Sequence, residues 1–358
     1  MMKNNVLKKK KILIIYPQLN EPYSGGQVID FSFIQQIVNS DKFVCSYLLD
    51  STLSNVSILG YIYYTLCHIK EIMNNDIIFS NSRLYPRLFP CFLLIKLLRR
   101  DVKILVYHHH FNYFTQTGII KWIHKFFELS FLKIIDVVII PSPFVKDKIM
   151  KILPKTNIEY IEIGFDLNPY LDLDKTKLNN LLFVGTVELR KGVHHLIYLA
   201  QFLASEDIDF HINIVGNIPN DSYTENVKEL IVENSLERYI TLCGRVNAEE
   251  LELLYRNSDV FVFPSSHEGY GMVLIEALSH SLPVIAFSNS AIPYSIKDGF
   301  NGILVKDGDV IALGNKVKEL LFNEKLWNEL RINAYSWALK MRTFKQMENN
   351  MKSFISSL

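Results

Sequence analysis

The residues with the clearest chemical potential stand in one run, SSHEGYGMVLIEALSHSLPVIAF, from Ser265 to Phe287, where Glu268 and Glu276 flank Gly269 and Gly271. The apolar stretches DVFVFP before the glycines and PVIAF after them read as strands. The segment between must therefore be a loop and then a helix that begins near Gly271 and continues through Ser279. Glycine lacks a Cβ, so backbone can approach a bound group closely, and the unpaired N–H groups and dipole of a helix start favour an anion. The expectation is a phosphate seat. Carboxylates touching that phosphate would repel it, so Glu268 and Glu276 are expected to accept hydrogen bonds from hydroxyls on either side. A nucleotide diphospho-sugar carries its groups in that order: sugar, pyrophosphate, ribose. A lone glutamate is most often a solvated helix face; the pair with glycines between them is what points to a ligand.

Four other constellations bear on the chemistry. In LLFVGTVELRKGVHHLIYLAQFL a buried strand ends at Gly185, a short loop carries Arg190 and Lys191, and Gly192 opens the next helix. A guanidinium fork and an ammonium point charge together offset about two negative charges, as a departing diphosphate requires. A loop at the carboxyl end of a strand is also where open α/β sheets bind ligands. In KILIIYPQLNEPYSGGQVIDF a strand and a loop with Gly25 and Gly26 precede a helix. This run lacks G-x-G-x-x-G, so close backbone approach and an ordinary turn both remain open. In KILVYHHHFNYF, His108, His109 and His110 end a buried strand. Strand alternation would send His108 and His110 to one face and His109 to the other, which disfavours a shared zinc ion and leaves one imidazole to meet a sugar hydroxyl or none to do so. Asp172-Leu173-Asp174 forms a D-x-D, but it falls in a loop-rich stretch and reads as ordinary loop composition; no metal site is expected.

The elements that must position these groups alternate regularly. Short Ile/Val-rich runs at 11–16, 43–49, 76–79, 102–107 and 137–140, and again at 180–184, 211–215, 239–242, 260–264 and 282–287, are separated by amphipathic segments such as 28–38 and 119–131. That is the pattern of strand-helix-strand units feeding parallel sheets, so the class is α/β, with one doubly wound sheet in each half. Apolar periodicity breaks at about 164–179, where Gly, Pro, Asn and Asp collect. The expected organisation is a domain over 1–165, a linker over 166–179, a second domain over 180–335, and a closing helical stretch over 336–358 that packs back on the first domain.

Composition narrows the function classes. The 358 residues, 49% apolar and 21% charged, suit two globular domains with no low-complexity tract. The net charge of +1 argues against a nucleic-acid coat. The charge is uneven, however: residues 1–150 hold 18 Lys+Arg against 10 Asp+Glu, and the remainder 20 against 27. RLYPRLFPCFLLIKLLRR and IIKWIHKFFELSFLK mix basic and apolar residues within the positive half, so either an anionic membrane surface or a snorkelling core helix is open to them. The longest apolar stretches fall short of the roughly 20 residues that span a bilayer, and the basic amino terminus runs directly into a strand without a cleavable site. Cys45, Cys67, Cys91 and Cys243 are scattered without a C-x-x-C pair, as suits free thiols. A cytoplasmic protein, associated with the membrane at its cytoplasmic face if at all, is expected.

Taken together, EGYGMVLIE, FVGTVELRKG and KDGFNGILV, in that spacing, resemble the retaining glycosyltransferases of family 4, whose GT-B fold has two facing Rossmann-like domains with an interdomain cleft. EGYGMVLIE is similar to the family's E-x7-E element. The resemblance spans the second half; in the first it is carried by the strand-GG loop and the His after a strand. It implies that Glu268 faces the donor sugar near the reacting carbon and that Glu276 holds the ribose hydroxyls. Arg190 and Lys191 would bind the diphosphate with the backbone of Gly269, Tyr270, Gly271, Met272 and Val273, helped by Gly25 and Gly26. The backbone near Val246 would read the base, and one of His108, His109 and His110, with His108 favoured by strand length, would touch the sugar. No metal or other cofactor is implied. The sequence departs from the family pattern at Ser281, usually Gly, at Tyr294, frequently Glu, and at Ile163, commonly Asn.

The resulting expectation is a retaining, metal-independent hexosyltransferase that takes a UDP- or GDP-linked sugar to a glycan or lipid-linked acceptor. A sugar phosphorylase or synthase of the same fold, acting on a small soluble acceptor, and a noncatalytic nucleotide-sugar-binding protein are the alternatives. A glycosidase would also use two carboxylates, about 5–10 Å apart, but has no need of Arg190, Lys191 or a phosphate seat.

Overall fold

The computed structural model describes residues 9–16, 25–48 and 58–358. The chain divides into two compact units, one made of Met1–Phe165 with Arg342–Leu358 and one of Asp166–Met341. The loop ahead of Gly25, residues 17–24, and position 49 of the expected second strand lie outside the described residues.

The first unit runs β1 (Lys10–Ile15), α1 (Gly25–Val38), β2 (Phe43–Leu48), α2 (Ile58–Cys67), α3 (Ile69–Met73), β3 (Ile77–Asn81), α4 (Tyr85–Leu98), β4 (Lys103–Tyr107), α5 (Gly118–Ile134), β5 (Val137–Ile140), α6 (Pro143–Ile152) and β6 (Ile158–Tyr160). All six strands are parallel, in the order β2-β1-β3-β4-β5-β6. Their sequences are nearly continuous Ile, Val and Leu because a parallel sheet covered by its crossover helices buries both faces; Ile77, Ile78 and Phe79, and Ile104, Leu105 and Val106, are almost wholly enclosed. The last helix of the chain, Phe344–Ser357, packs on α1 and places Met347, Met351 and Ile355 in this core. Its start is fixed by a capping box, in which Thr343 accepts from the backbone of Gln346 and the Gln346 side chain accepts in return.

The second unit runs β7 (Asn180–Val184), α7 (Val193–Ser205), β8 (His211–Val215), α8 (Ser222–Glu233), β9 (Ile240–Gly244), α9 (Ala248–Asn257), β10 (Val260–Phe263), α10 (Met272–Ser279), β11 (Val284–Ser288), α11 (Ile292–Ser295), β12 (Gly302–Lys306), α12 (Val310–Phe322) and α13 (Glu324–Ala338). Its parallel sheet is ordered β12-β11-β10-β7-β8-β9. Numbered within the unit this is 6-5-4-1-2-3, the doubly wound order whose direction reverses between β7 and β10. Two strands had no counterpart in the sequence reading. β6 is a three-residue edge strand, too short to show a period, and β12 begins on the last residue of the Asp-Gly-Phe-Asn-Gly turn. That turn is built by Asn301, which accepts from the Lys297 backbone N–H and donates to the Ser295 carbonyl. Gly302 is needed there because a Cβ would lie 2.4 Å from the Val284 carbonyl oxygen.

Candidate functional site

The reversal point between β7 and β10 is where the doubly wound order leaves a crevice at the strands' carboxyl ends. The loops leaving these two strands are tied together there. The Arg190 carbonyl accepts from the Ser266 backbone N–H at 2.9 Å and from the hydroxyls of Ser265 and Ser266 at 3.2 and 3.1 Å. Gly192 permits the approach. It sits at φ +69°, and a Cβ on it would lie 2.1 Å from the Pro264 carbonyl oxygen. Gly192 caps α7 and Gly271, at φ 82°, caps α10, and neither has a side-chain cap; at the start of α7 the His194 N–H donates to the Tyr223 hydroxyl at 3.1 Å, so it is the start of α10 that is open to a ligand.

Glu268 lies at the centre of this junction. Its Oε1 accepts from Lys191 Nζ at 2.8 Å, from Arg190 Nη1 at 3.2 Å and from the Ser265 hydroxyl at 2.7 Å. The carboxylate is buried. Burial alone would raise its pKa, but the charges of Lys191 and Arg190 and the hydrogen bonds from Lys191 and Ser265 outweigh that and hold it below the ordinary carboxylate value. Arg190 also donates to the His267 carbonyl at 2.7 Å and to Glu188 at 2.6 Å, and Lys191 stands over the Phe263 ring at 5.0 Å. Both cations thus arrive already paired. The hydroxyl-accepting role expected of Glu268 is filled here by one serine and two cations, and a diphosphate must compete with Glu188 and Glu268 for them.

Glu276, one face of α10 further on, takes no part in that cluster. It accepts from the Tyr255 hydroxyl at 3.0 Å, and burial raises its pKa against the opposing effects of that hydrogen bond and of His280. Tyr255 is stacked on His280, with ring centroids 4.7 Å apart, and His280 in turn reaches Glu252 at 2.7 Å. Tyr255 is a site-adjacent residue that the sequence reading did not single out; its only sequence signal was being the one aromatic on α9. Val246 is half-buried two residues past β9, at the same carboxyl edge of the sheet.

In the first unit Gly25 and Gly26 are the first residues of α1. The three histidines correct the sequence reading. β4 ends at Tyr107, so strand alternation does not extend to them. His108, favoured on strand length, is fully enclosed with neither ring nitrogen hydrogen-bonded. Burial, with smaller effects from His110 and His109, lowers its pKa to about 3. It packs on Phe111 as a neutral core side chain and presents nothing to a ligand. His109 faces a buried carboxylate: its Nε2 lies 2.7 Å from Asp30 Oδ1, with 14% of its side chain exposed. His110 is half-buried. Asp172 accepts from the Asp174 backbone N–H, forming a local turn, and no group of three or more His, Cys, Asp or Glu is placed to hold a metal ion among the described residues.

With this geometry in view, the chain can be set beside known proteins. Residues 172–337, nearly all of the second unit, match the family described as glycosyl transferases group 1. An uncharacterized glycosyltransferase of Methanocaldococcus jannaschii is 30% identical over 205 residues, which cover 57% of this chain and 55% of that relative. The sucrose-phosphate synthase of Thermosynechococcus elongatus superposes with a TM-score of 0.74 at 16% identity, over 98% of this chain and 99% of that one. The Anabaena protein HepE, solved in complex with UDP and glucose, gives 0.73 at 17% identity over 98% and 100%. The fold is the two-domain, Rossmann-like GT-B fold.

Proposed function

We propose that this protein is a retaining glycosyltransferase that moves a hexose from a UDP- or GDP-linked donor to a glycan or lipid-linked acceptor without a metal ion. The observation that carries the reading is the convergence of Arg190, Lys191 and Glu268 with the uncapped start of α10 at the β7/β10 reversal point. The similarity of this unit to glycosyl transferases group 1 and of the fold to a protein holding UDP and glucose support it. In this reading the diphosphate displaces Glu188 from Arg190 and sits against Lys191 and the N–H groups from Gly269 to Val273. Glu268 is then left facing the hexose, Glu276 receives the ribose hydroxyls, and the backbone near Val246 meets the base. Rate enhancement comes from holding the reactants together and from stabilising the departing diphosphate charge.

The acceptor side is proposed from α5. It exposes Ile119, Ile120, Trp122, Ile123 and Phe126 beside Lys121 and Lys125, a basic aromatic face of the kind that lies on an anionic bilayer surface and would meet a lipid-linked acceptor there. No helix among the described residues is long and apolar enough to cross a membrane.

A thermal-shift panel of UDP-, GDP- and ADP-sugars on the wild type and Glu276→Ala tests the donor site. One nucleotide class should stabilise the wild type and not the variant; the absence of a shift with every donor would overturn the reading.

A further inference from the structure

Asp30 is a carboxylate buried near the start of α1, and its partners come from three neighbouring strand ends of the first sheet. Its Oδ2 accepts from the hydroxyl of Tyr16, just past β1, at 3.0 Å and from the side-chain amide of Asn81, the last residue of β3. Its Oδ1 faces Nε2 of His109, just past β4, at 2.7 Å. β1, β3 and β4 are consecutive in the sheet, so the four groups form one constellation at its carboxyl edge, beside the reversal between β1 and β3. This cluster is more elaborate than packing requires, since Asp30 is 2% exposed and an aliphatic residue would avoid the cost of burying a charge.

The donors decide the protonation pattern. An ionised carboxylate only accepts, so the imidazole nitrogen facing Asp30 must carry the proton. Neutral His109 is therefore the Nε2–H tautomer, and its Nδ1, which has no hydrogen-bond partner among the described residues, is left with a lone pair. We infer that Asp30 is a positioning residue that locks His109 in the Nε2–H tautomer, so that Nδ1 is presented as a hydrogen-bond acceptor to a hydroxyl of the transferase's sugar substrate. The identity of the hydroxyl rests on the function proposed above; the tautomer does not.

The geometry also says what Asp30→Asn does. Tyr16 and Asn81 both donate to Oδ2, so the new side chain must keep its carbonyl oxygen toward them and turn its NH2 toward His109. Nε2 then has to accept, the proton moves to Nδ1, and the free nitrogen changes from acceptor to donor with little change in shape. His109→Gln removes the ring.

The test is long-range proton–nitrogen correlation on the full chain labelled with 15N-histidine, at a pH well above the ordinary imidazole value. The His109 signal is assigned by its loss in His109→Gln. UDP release from UDP-glucose is measured alongside. The wild type should show the Nε2–H tautomer and Asp30→Asn the Nδ1–H tautomer. In Asp30→Asn kcat should fall by about tenfold to a hundredfold, as expected when one acceptor facing a hydroxyl becomes a donor, with the donor KM changed less than threefold. An Nδ1–H tautomer in the wild type overturns the inference even if the variant does not fold. A tautomer flip that leaves kcat unchanged overturns the role assigned to Nδ1. If the wild type shows the Nε2–H tautomer and neither UDP- nor GDP-hexoses turn over, the function proposed above fails while the tautomer assignment stands.

Discussion

Glu268→Gln separates the two demands placed on this carboxylate. All three of its donors, Lys191, Arg190 and Ser265, converge on Oε1, so a glutamine can put its carbonyl oxygen in the same place and its NH2 where Oε2 was. The substitution therefore removes charge with little loss of shape. Lys191 and Glu268 are 13% and 8% exposed as side chains, so their pair is little screened, whereas Arg190 is 31% exposed and keeps Glu188. Reducing two charge-assisted hydrogen bonds to ordinary ones, mainly at Lys191, should cost the free protein about 2 kcal/mol, or roughly 4–8 °C in the transition of a unit this size. UDP should reverse the order. Its diphosphate supplies the charge that glutamine lacks, and in the variant it competes with Glu188 alone and no longer with Glu268, so UDP should bind Glu268→Gln about tenfold more tightly than wild type. Sugar transfer should fall at least a hundredfold, because the group proposed to face the reacting carbon has lost its charge. Differential scanning fluorimetry with and without UDP, together with a coupled UDP-release assay, reads all three. A variant as stable as wild type that binds UDP more weakly would refute the argument, since it would mean that Glu268 does not restrain the two cations in the free protein.

Other substitutions follow from the same contacts. Gly192→Ala should destabilise the second unit by about 3 kcal/mol or more and lose UDP binding, because both its positive φ and the 2.1 Å approach to Pro264 exclude a Cβ; an unchanged melting temperature would count against the loop geometry. Tyr255→Phe should raise the Glu276 pKa further by removing a donor to its ionised form, and so shift UDP affinity toward higher pH; identical pH profiles for the two proteins would contradict this. Glu128 on α5 accepts from the backbone of Asn112 and Tyr113, yet burial outweighs those bonds and raises its pKa to about 7. The folded state then holds a proton that the unfolded chain releases above about pH 4.3, so this group's contribution to stability declines as pH rises toward 7. His108 acts in the opposite sense. Its pKa of about 3 lies below the unfolded value, so its contribution is intact above about pH 6.5 and is lost as pH falls from there. Chemical denaturation at several pH values should show stability falling less on alkalinisation in Glu128→Gln than in wild type, and equal slopes would refute the assignment.

The strands and the second-unit loops were legible because buried parallel strands have a plain apolar signature and because two glycines had to lie where two loops meet. The starts of α7 and α10, at Gly192 and Gly271, fall where strand-loop-helix reasoning puts them. Ser281 shows why glycine is the usual residue at its position: it adopts φ +58°, and its hydroxyl donates to the Tyr170 carbonyl. What sequence could not supply was tertiary pairing. Asp30 and His109 are 79 positions apart and Tyr255 and Glu276 are 21, and neither pair has a local spacing that announces it. The strand-length argument that favoured His108 assumed that β4 continued through the three histidines, whereas the chain leaves the strand after Tyr107 and buries His108 against Phe111.

The central claim is that Arg190, Lys191 and the start of α10 hold a nucleotide diphosphate. Calorimetric titration of UDP and GDP into wild type, Lys191→Ala and the exposed control Lys316→Ala tests it most directly. One nucleotide should bind wild type and Lys316→Ala alike, with affinity for Lys191→Ala reduced about tenfold to a hundredfold, the worth of one charge-assisted contact. Equal affinity in all three proteins would place the diphosphate elsewhere.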